Sequence, residues 1–299
     1  MKLLKLAICL LLLGGLSASC TKEDHSDCYN IYRLAFRYNG DGTDDIFGEK
    51  INSVDMYVFD VNSVCVSRTR LSQADLYAQE TVLPPLAEGE YRIVCIGNAH
   101  DTKVQGLNSR SVNNTSFAAS DYLNGENVSG NDSLYWSAVN YTIQPYSEYK
   151  MEETKLTDFS SSHFKVSVEV INAPDALGTD PVIELVGVSP MTNFNNEAHG
   201  EPVDYVLEVE SSDDNDYTAE CNIMRHTDHE KVYLKISSKD GSYSHLINFA
   251  EYISKFSKYI DTSLNECLIA FRVEYISDSL SDIRIEVPSW VIDNVTPEF

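Results

Sequence analysis

An all-β protein of two β-sandwich domains on an N-terminal tether is what the sequence predicts. Short runs rich in Val, Ile, Tyr and Phe alternate with a period of two, and clusters of Gly, Asn, Asp and Ser separate them. These runs recur at intervals of roughly ten residues with almost no helical spacing between them, which is the rhythm of a sandwich rather than of an α/β fold. A chain of 299 residues, 43% of them apolar, has enough material for two cores, and two sandwiches of about 125–140 residues fit better than one.

The first nineteen residues read as an address. Lys2 and Lys5 give a positive start, residues 6–13 are apolar throughout, and residues 14–19 are mostly small and neutral before Cys20. That is the layout of a secretory signal. The apolar run falls far short of the roughly 20 residues that span a bilayer. Small residues leading into a cysteine resemble a bacterial lipobox, although Ser17 stands where Leu is usual and Leu16 lies one step further out. The resemblance implies that Cys20 is acylated and becomes the mature N-terminus, and an anchor with more than one acyl chain is stable. Thr21-Lys22-Glu23-Asp24 is similar to the tag that follows the cysteine in surface-exported Bacteroidetes lipoproteins. Residues 20–28 are expected to be a flexible tether.

Beyond the tether, residues 29–38 place Tyr32, Leu34, Phe36 and Tyr38 on one face with Arg33 and Arg37 on the other. Residues 54–60, V-D-M-Y-V-F-D, are apolar on both faces apart from Asp55, as in a central strand. Residues 91–96 read the same way and follow a turn rich in Pro and Gly. Residues 101–134 are polar and are expected to form a long loop or insertion. A second set of strands begins near His163, where Phe164, Val166, Val168 and Val170 alternate with polar residues, and continues at 182–188, 203–209, 217–223, 232–236, 268–275 and 283–287. Only residues 248–259 have helical spacing, through Phe249, Ile253 and Phe256. The polar, charged stretch 150–158 is the expected join, giving domains at 29–153 and 154–299.

The balance of charge excludes whole classes of function. With 22 Lys and Arg against 46 Asp and Glu, the net charge is −24, so nucleic acid is repelled and docking on anionic lipid is disfavoured. Cys28, Cys65, Cys95, Cys221 and Cys267 are an odd set, so at least one stays free or pairs between chains. The last four lie in or beside apolar strand patterns, where a buried thiol acts as a small hydrophobe. An oxidising compartment permits a bridge, but the sequence does not choose its partners.

No phosphate-binding loop, dinucleotide fingerprint, nucleophile elbow or H-E-x-x-H motif is present. His226-Thr227-Asp228-His229 offers two imidazoles, but residues three apart on a strand face opposite ways, so exposed turn histidines are the expectation. Residues 39–45, N-G-D-G-T-D-D, resemble a calcium loop without its closing Glu and read as a solvated hairpin turn. Residues 211–216 read as a turn as well. No catalytic residue, metal, cofactor or small-molecule substrate is expected.

Asp27-Cys28 opening a strand into Phe36-Arg37-Tyr38, then V-D-M-Y-V-F-D, then Leu83-Pro84-Pro85-Leu86 with Gly89-Glu90-Tyr91-Arg92-Ile93-Val94 and Gly97-Asn98, follow the lipoprotein cysteine in an order that resembles the FimB-type (Mfa/FimB) fimbrial anchor family of Bacteroidetes. Residues 271–275 and 283–290, with Trp290 near the end, resemble its closing strands. Cys95 and Pro85 depart from its pattern. The resemblance implies two transthyretin-like Greek-key sandwiches held in the outer membrane by acylated Cys20, exposed at the cell surface at the base of a fimbria. It also implies fimbrial shaft subunits (fimbrillins) as partners, joined by strand addition. An anchor should keep its N-terminal strand, since cutting it would sever the lipid from the body. The C-terminal segment is then the donor-strand candidate: Ile283, Ile285 and Val287 share a face, with Trp290 beyond them. Two alternatives accompany this reading, that the segment closes the second domain's own sheet, and that the protein is an adhesin, a glycan-binding lipoprotein or a fimbrial tip subunit.

Overall fold

The computed structural model describes residues 30–145, 151–178, 181–212 and 215–295. Strand β1 (Ile31–Arg37) forms where expected, with Tyr32, Leu34 and Phe36 turned into a core. It is the middle of a three-stranded sheet, with β4 (Glu80–Val82) antiparallel on one side and β9 (Glu152–Asp158) parallel on the other. Facing it is a five-stranded sheet in the order β10 (Ser160–Ser161), β8 (Tyr135–Ile143), β5 (Gly89–Gly97), β2 (Val54–Asp60), β3 (Cys65–Arg70). Leu34, Phe36, Phe47, Val58 and Ile93 fill the space between these sheets, and the Phe36 and Phe47 rings stack with centroids 5.8 Å apart.

The second sandwich repeats this plan. Strand β11 (His163–Ile171) lies between antiparallel β17 (Tyr217–Met224) and parallel β20 (Leu268–Tyr275), with β16 (Val209–Ser211) and β21 (Ile283–Glu286) at the edges. The facing sheet runs β15 (Val203–Val206), β12 (Val182–Val188), β18 (Tyr233–Ser237), β19 (Ser244–Asn248). The helical spacing after 248 is a helix, Phe249–Lys255, whose N-terminus is capped by Asn248 Oδ1 accepting the Glu251 N–H at 3.0 Å. The run expected as one strand over 203–209 breaks in two. Leu207 is buried and its N–H bonds to Ile183 O, so the chain turns the corner from one sheet to the other.

Two segments differ from expectation in ways that shape the molecule. Residues 101–134 are not one long loop: they contain β6 (Thr102–Gln105), β7 (Ser116–Ala119) and a short helix, Ser120–Asn124. Gly106, at φ +78°, makes the turn between these strands, where any side chain would run into the Asn114 carbonyl. β7 then pairs with β13 (Met191–Asn193), which pairs with β14 (Ala198–His199), so one four-stranded sheet takes two strands from each half of the chain. Strands of two to four residues are too short to show a period in the sequence. The stretch 150–158, expected as the join, contains β9, which registers with β1 over seven residue pairs, and β10 still belongs to the first sandwich. On β9 Glu152 and Asp158 are exposed, and Arg37 Nε meets Asp158 at 2.6 Å.

Between the first sandwich and the shared sheet lies a third core. Phe194, fully buried, sits against Tyr57, Phe59 and Phe117, with centroid distances of 5.1, 5.7 and 6.2 Å. This explains why β2 is buried on both faces: Met56 and Val58 point into the first sandwich, and Tyr57 and Phe59 point at Phe194. Polar ties join the halves as well. Asp41 accepts the N–H of Asn265 at 2.7 Å and of Glu266 at 2.9 Å. The 39–45 segment is an exposed turn as expected, but it is not a hairpin: it leads into the helix Phe47–Lys50, and Asp45 accepts the N–H groups of Tyr38 and Phe47, each at 3.1 Å.

The two histidines also differ from the exposed turn residues expected. A turn after β17 does let them converge. His226 is buried, its Nδ1–H donates to Met224 O at 3.0 Å, and its Nε2 accepts from His229 Nδ1–H at 3.2 Å. The rings lie 4.8 Å apart and both pack on Phe164. This chain of bonds requires His226 neutral, because its Nε2 must be free to accept. Burial is the main cause that holds both below the ordinary value of 6.5, and His229, which also feels His226, comes down to about 4.

Two outcomes follow. Phe194→Ala should lower stability by about 3–5 kcal/mol in urea unfolding, the usual cost of emptying a buried aromatic site, and a loss below about 1 kcal/mol would contradict its place in the core. As pH falls from about 6.5 towards 4, the unfolded chain takes up protons at His226 and His229 that the folded chain refuses, so stability falls across that window. His229→Asn should flatten that slope while leaving stability above pH 7 nearly unchanged, read from urea midpoints across the pH range.

Candidate functional site

The donor-strand candidates fall on β21 and the turn beyond it. β21 pairs antiparallel with β20, with Val273 opposite Ile285 and Tyr275 opposite Ile283. In this arrangement the segment closes the second domain's own sheet. Ile283 and Ile285 are half-buried against the second core, Val287 is buried, and Trp290 is 40% exposed with its Nε1–H donating to Glu169 at 2.6 Å. The four residues are thus together, but on an edge. The Ile276 N–H bonds to Asp282 O, and alternation along an antiparallel ladder then turns the N–H groups of Ile283 and Ile285 away from β20. The Ile285 carbonyl takes the Lys255 ammonium at 3.4 Å, and Tyr252 OH donates to Glu286 O at 2.9 Å. What the site presents is a sheet edge with unused backbone donors and an apolar inner face, suited to pairing with another strand.

Cys20 and Cys28 lie outside the described residues. Cys65, Cys95, Cys221 and Cys267 are all free thiols, and Cys95 and Cys267 are buried. Burial is the main cause that pushes Cys95 and Cys221 up to about 12 and Cys267 up to about 11, so these thiols stay protonated and inert at neutral pH. Among the described residues, no group of three or more His, Cys, Asp or Glu is arranged to hold a metal ion, and no helix is long and apolar enough to cross a membrane. Several tyrosines serve packing: Tyr38, Tyr57, Tyr141, Tyr205 and Tyr275 are among the largest fully buried side chains.

A polar cluster at the seam has no signature in the sequence. Glu266, on the loop before β20, accepts from Tyr38 OH, from Lys50 Nζ at 2.7 Å and from Tyr135 OH at 3.4 Å. Burial alone would push its carboxyl up. The Lys50 and Tyr38 hydrogen bonds outweigh that and hold it below the ordinary value. Arg225 reaches the same loop, donating to the carbonyls of Thr262, Leu264 and Asn265 while its guanidinium lies 4.4 Å above the Phe164 ring. Residues more than 200 positions apart meet here, and no local pattern could have paired them. The cluster fastens the two halves together.

Known structures share this architecture. The fimbrial anchor protein Mfa2 of Porphyromonas gingivalis superposes with a TM-score of 0.67 at 13% identity, over 87% of this chain and 98% of that one. A candidate polysaccharide-binding protein of Bacteroides thetaiotaomicron gives 0.68 at 15%, over 87% of this chain and 96% of that one. A candidate adhesin of Bacteroides ovatus gives 0.68 at 16%, over 88% and 94%. At these identities the likeness speaks for the fold. No curated protein matches the sequence. The family described as fimbrillin-A associated anchor proteins Mfa1 and Mfa2, an anchor type and not an enzyme class, matches residues 25–296. With nearly the whole length matched, the chain belongs to that family.

Proposed function

We propose that this protein is a non-enzymatic lipoprotein, tethered to the outer membrane through acylated Cys20, that anchors a fimbria at the cell surface and contacts the basal shaft subunit by strand addition along β21. The observation that carries the reading is the family match over residues 25–296, in a chain whose first twenty residues have the layout of a lipoprotein signal. The geometry supports the contact in a particular way. β1 with its parallel neighbour β9 corresponds to β11 with its parallel neighbour β20, but among the described residues only the second sheet continues beyond that parallel pair, into β21. That added strand carries unused outward N–H groups, and an incoming strand would satisfy them.

Two variants separate the membrane step from the contact step. Cys20→Ala should leave the protein unacylated and move it, with its fimbriae, from the outer membrane to the medium; an N-terminally acylated chain or an unchanged membrane fraction would contradict the tether. Deleting residues after 281 is a poor test of the contact, because Val287 and Val291 belong to the second core. Ile283→Pro and Ile285→Pro remove outward N–H groups while sparing the ladder to β20. Each should shed fimbriae from cells whose anchor abundance is normal by immunoblot. Fimbriae retained at normal anchor abundance would refute strand addition at β21 while leaving the membrane tether standing.

A further inference from the structure

A second recognition surface lies away from β21. On the first sandwich, past the end of the Phe194 core, a groove of about 550 Å³ opens between the five-stranded sheet and the β6–β7 connection. Arg92 and Asn140, directly opposite each other on β5 and β8, belong to its floor, and Ser111, Asn113 and Asn195 to its wall.

Its polar groups are partly committed and partly open. Arg92 uses one terminal nitrogen, donating to Phe194 O at 3.3 Å and to Asn195 Oδ1 at 2.8 Å. Asn195 Nδ2 then donates to Asn113 Oδ1 at 2.6 Å. The Arg92 Nε is buried out of a ligand's reach with no hydrogen-bond partner, the other terminal nitrogen takes no part in the bonds to Phe194 and Asn195, and none of the ion pairs among the described residues includes this guanidinium. Burial, with no carboxylate opposing it, holds Arg92 below its ordinary value. A half-buried cation with unused donors costs stability unless something else bonds to it. Asn140 is exposed, and it is the backbone carbonyl of this residue that receives Lys155 at 3.1 Å.

The remaining lining decides the class of ligand. Asp60 is tied down, its Oδ1 accepting the N–H groups of Asn62 and Val64 at 2.9 and 2.8 Å, whereas Glu90 is an exposed acceptor at the groove. Ser63, Ser111 and Thr142 add hydroxyls, and Val61, 76% exposed, adds an apolar rim. One cation against two carboxylates, on a chain of net charge −24, disfavours an anionic ligand. A cationic ligand would meet Arg92. What fits is an uncharged molecule dense in hydroxyls, able to accept from a guanidinium and amides and to donate to a carboxylate. The volume lies in the range of small-ligand sites.

We propose that this groove binds a neutral oligosaccharide, with Arg92 and Asn140 as its principal hydrogen-bonding residues. The site is independent of the anchoring role. The test uses the purified full chain on an array of neutral and acidic oligosaccharides, followed by calorimetry with the neutral glycan giving the strongest signal. Binding to neutral glycans, weakened roughly tenfold or more in both Arg92→Gln and Asn140→Ala, is the expected result. Arg92 also ties down the Phe194 loop, so Asn140→Ala is the cleaner variant and should keep the parent's unfolding midpoint. No neutral glycan bound, binding of acidic glycans alone, or neutral binding untouched by Asn140→Ala would each overturn the proposal. None of these outcomes bears on whether the cells keep their fimbriae.

Discussion

The pairing of β13 with β7, and the burial of Phe194 that follows directly from it, is the constraint on which the arrangement of the two halves depends. β2, β5 and β8 carry apolar residues on both faces, so a two-layer sandwich would leave Tyr57, Val94 and Ile96 facing water. Strands from both halves of the chain close over that face as a third layer, and Phe194 fills its centre. Relative motion of the halves would have to open this core. The Glu266 cluster and the Asp41 bonds hold a second point of the seam, so the halves are fixed at two separate places rather than hinged at one. A surface ion pair such as Lys50–Glu266 adds little by itself, at most about 1 kcal/mol. Its use here is directional, since it orients a carboxylate that also serves two tyrosines.

That arrangement explains what could be read along the chain and what could not. Strands that bury one face of a large sheet announce themselves by alternation, and β1, β2, β11, β12 and β20 stand where periodicity puts them. The layer that joins the halves is built from four-, three- and two-residue strands such as Ser116–Ala119 and Met191–Asn193, too short to show a period against a polar background. β9 was hidden for a related reason. It lies at the edge of its sheet with only Thr157 buried, so its sequence, E-E-T-K-L-T-D, looks like a linker. The histidine pair shows the limit of strand geometry as a guide: positions three apart diverge on a strand but meet on the turn that the chain makes after Met224.

The candidate site was legible in another sense. Ile283 and Ile285 were marked by alternation, and they do share a face. What alternation leaves open is which sheet that face joins. The choice depends on β20 being within reach and on Val287 and Val291 entering the second core, contacts that no local pattern contains. The groove at Arg92 left no trace in the sequence, because its walls come from a turn, a strand floor and the residue after Phe194.

The place of β1 bears on how such a molecule can carry load. Asn30 stands directly ahead of β1, so force applied at Asn30 bears on the end of that strand. β1 lies between β4 and β9, and its seven-residue parallel ladder with β9 would be loaded in shear, with its hydrogen bonds strained together instead of one at a time. Tyr32, Leu34 and Phe36 add side-chain interlock across the core. Losing β1 would also leave β4 and β9 with no common partner and open the first core to water. A subunit that sheds its first strand to make room for a neighbour needs that strand to be dispensable. The middle position, the longer ladder and the buried aromatic face make β1 the best-held strand in its sheet.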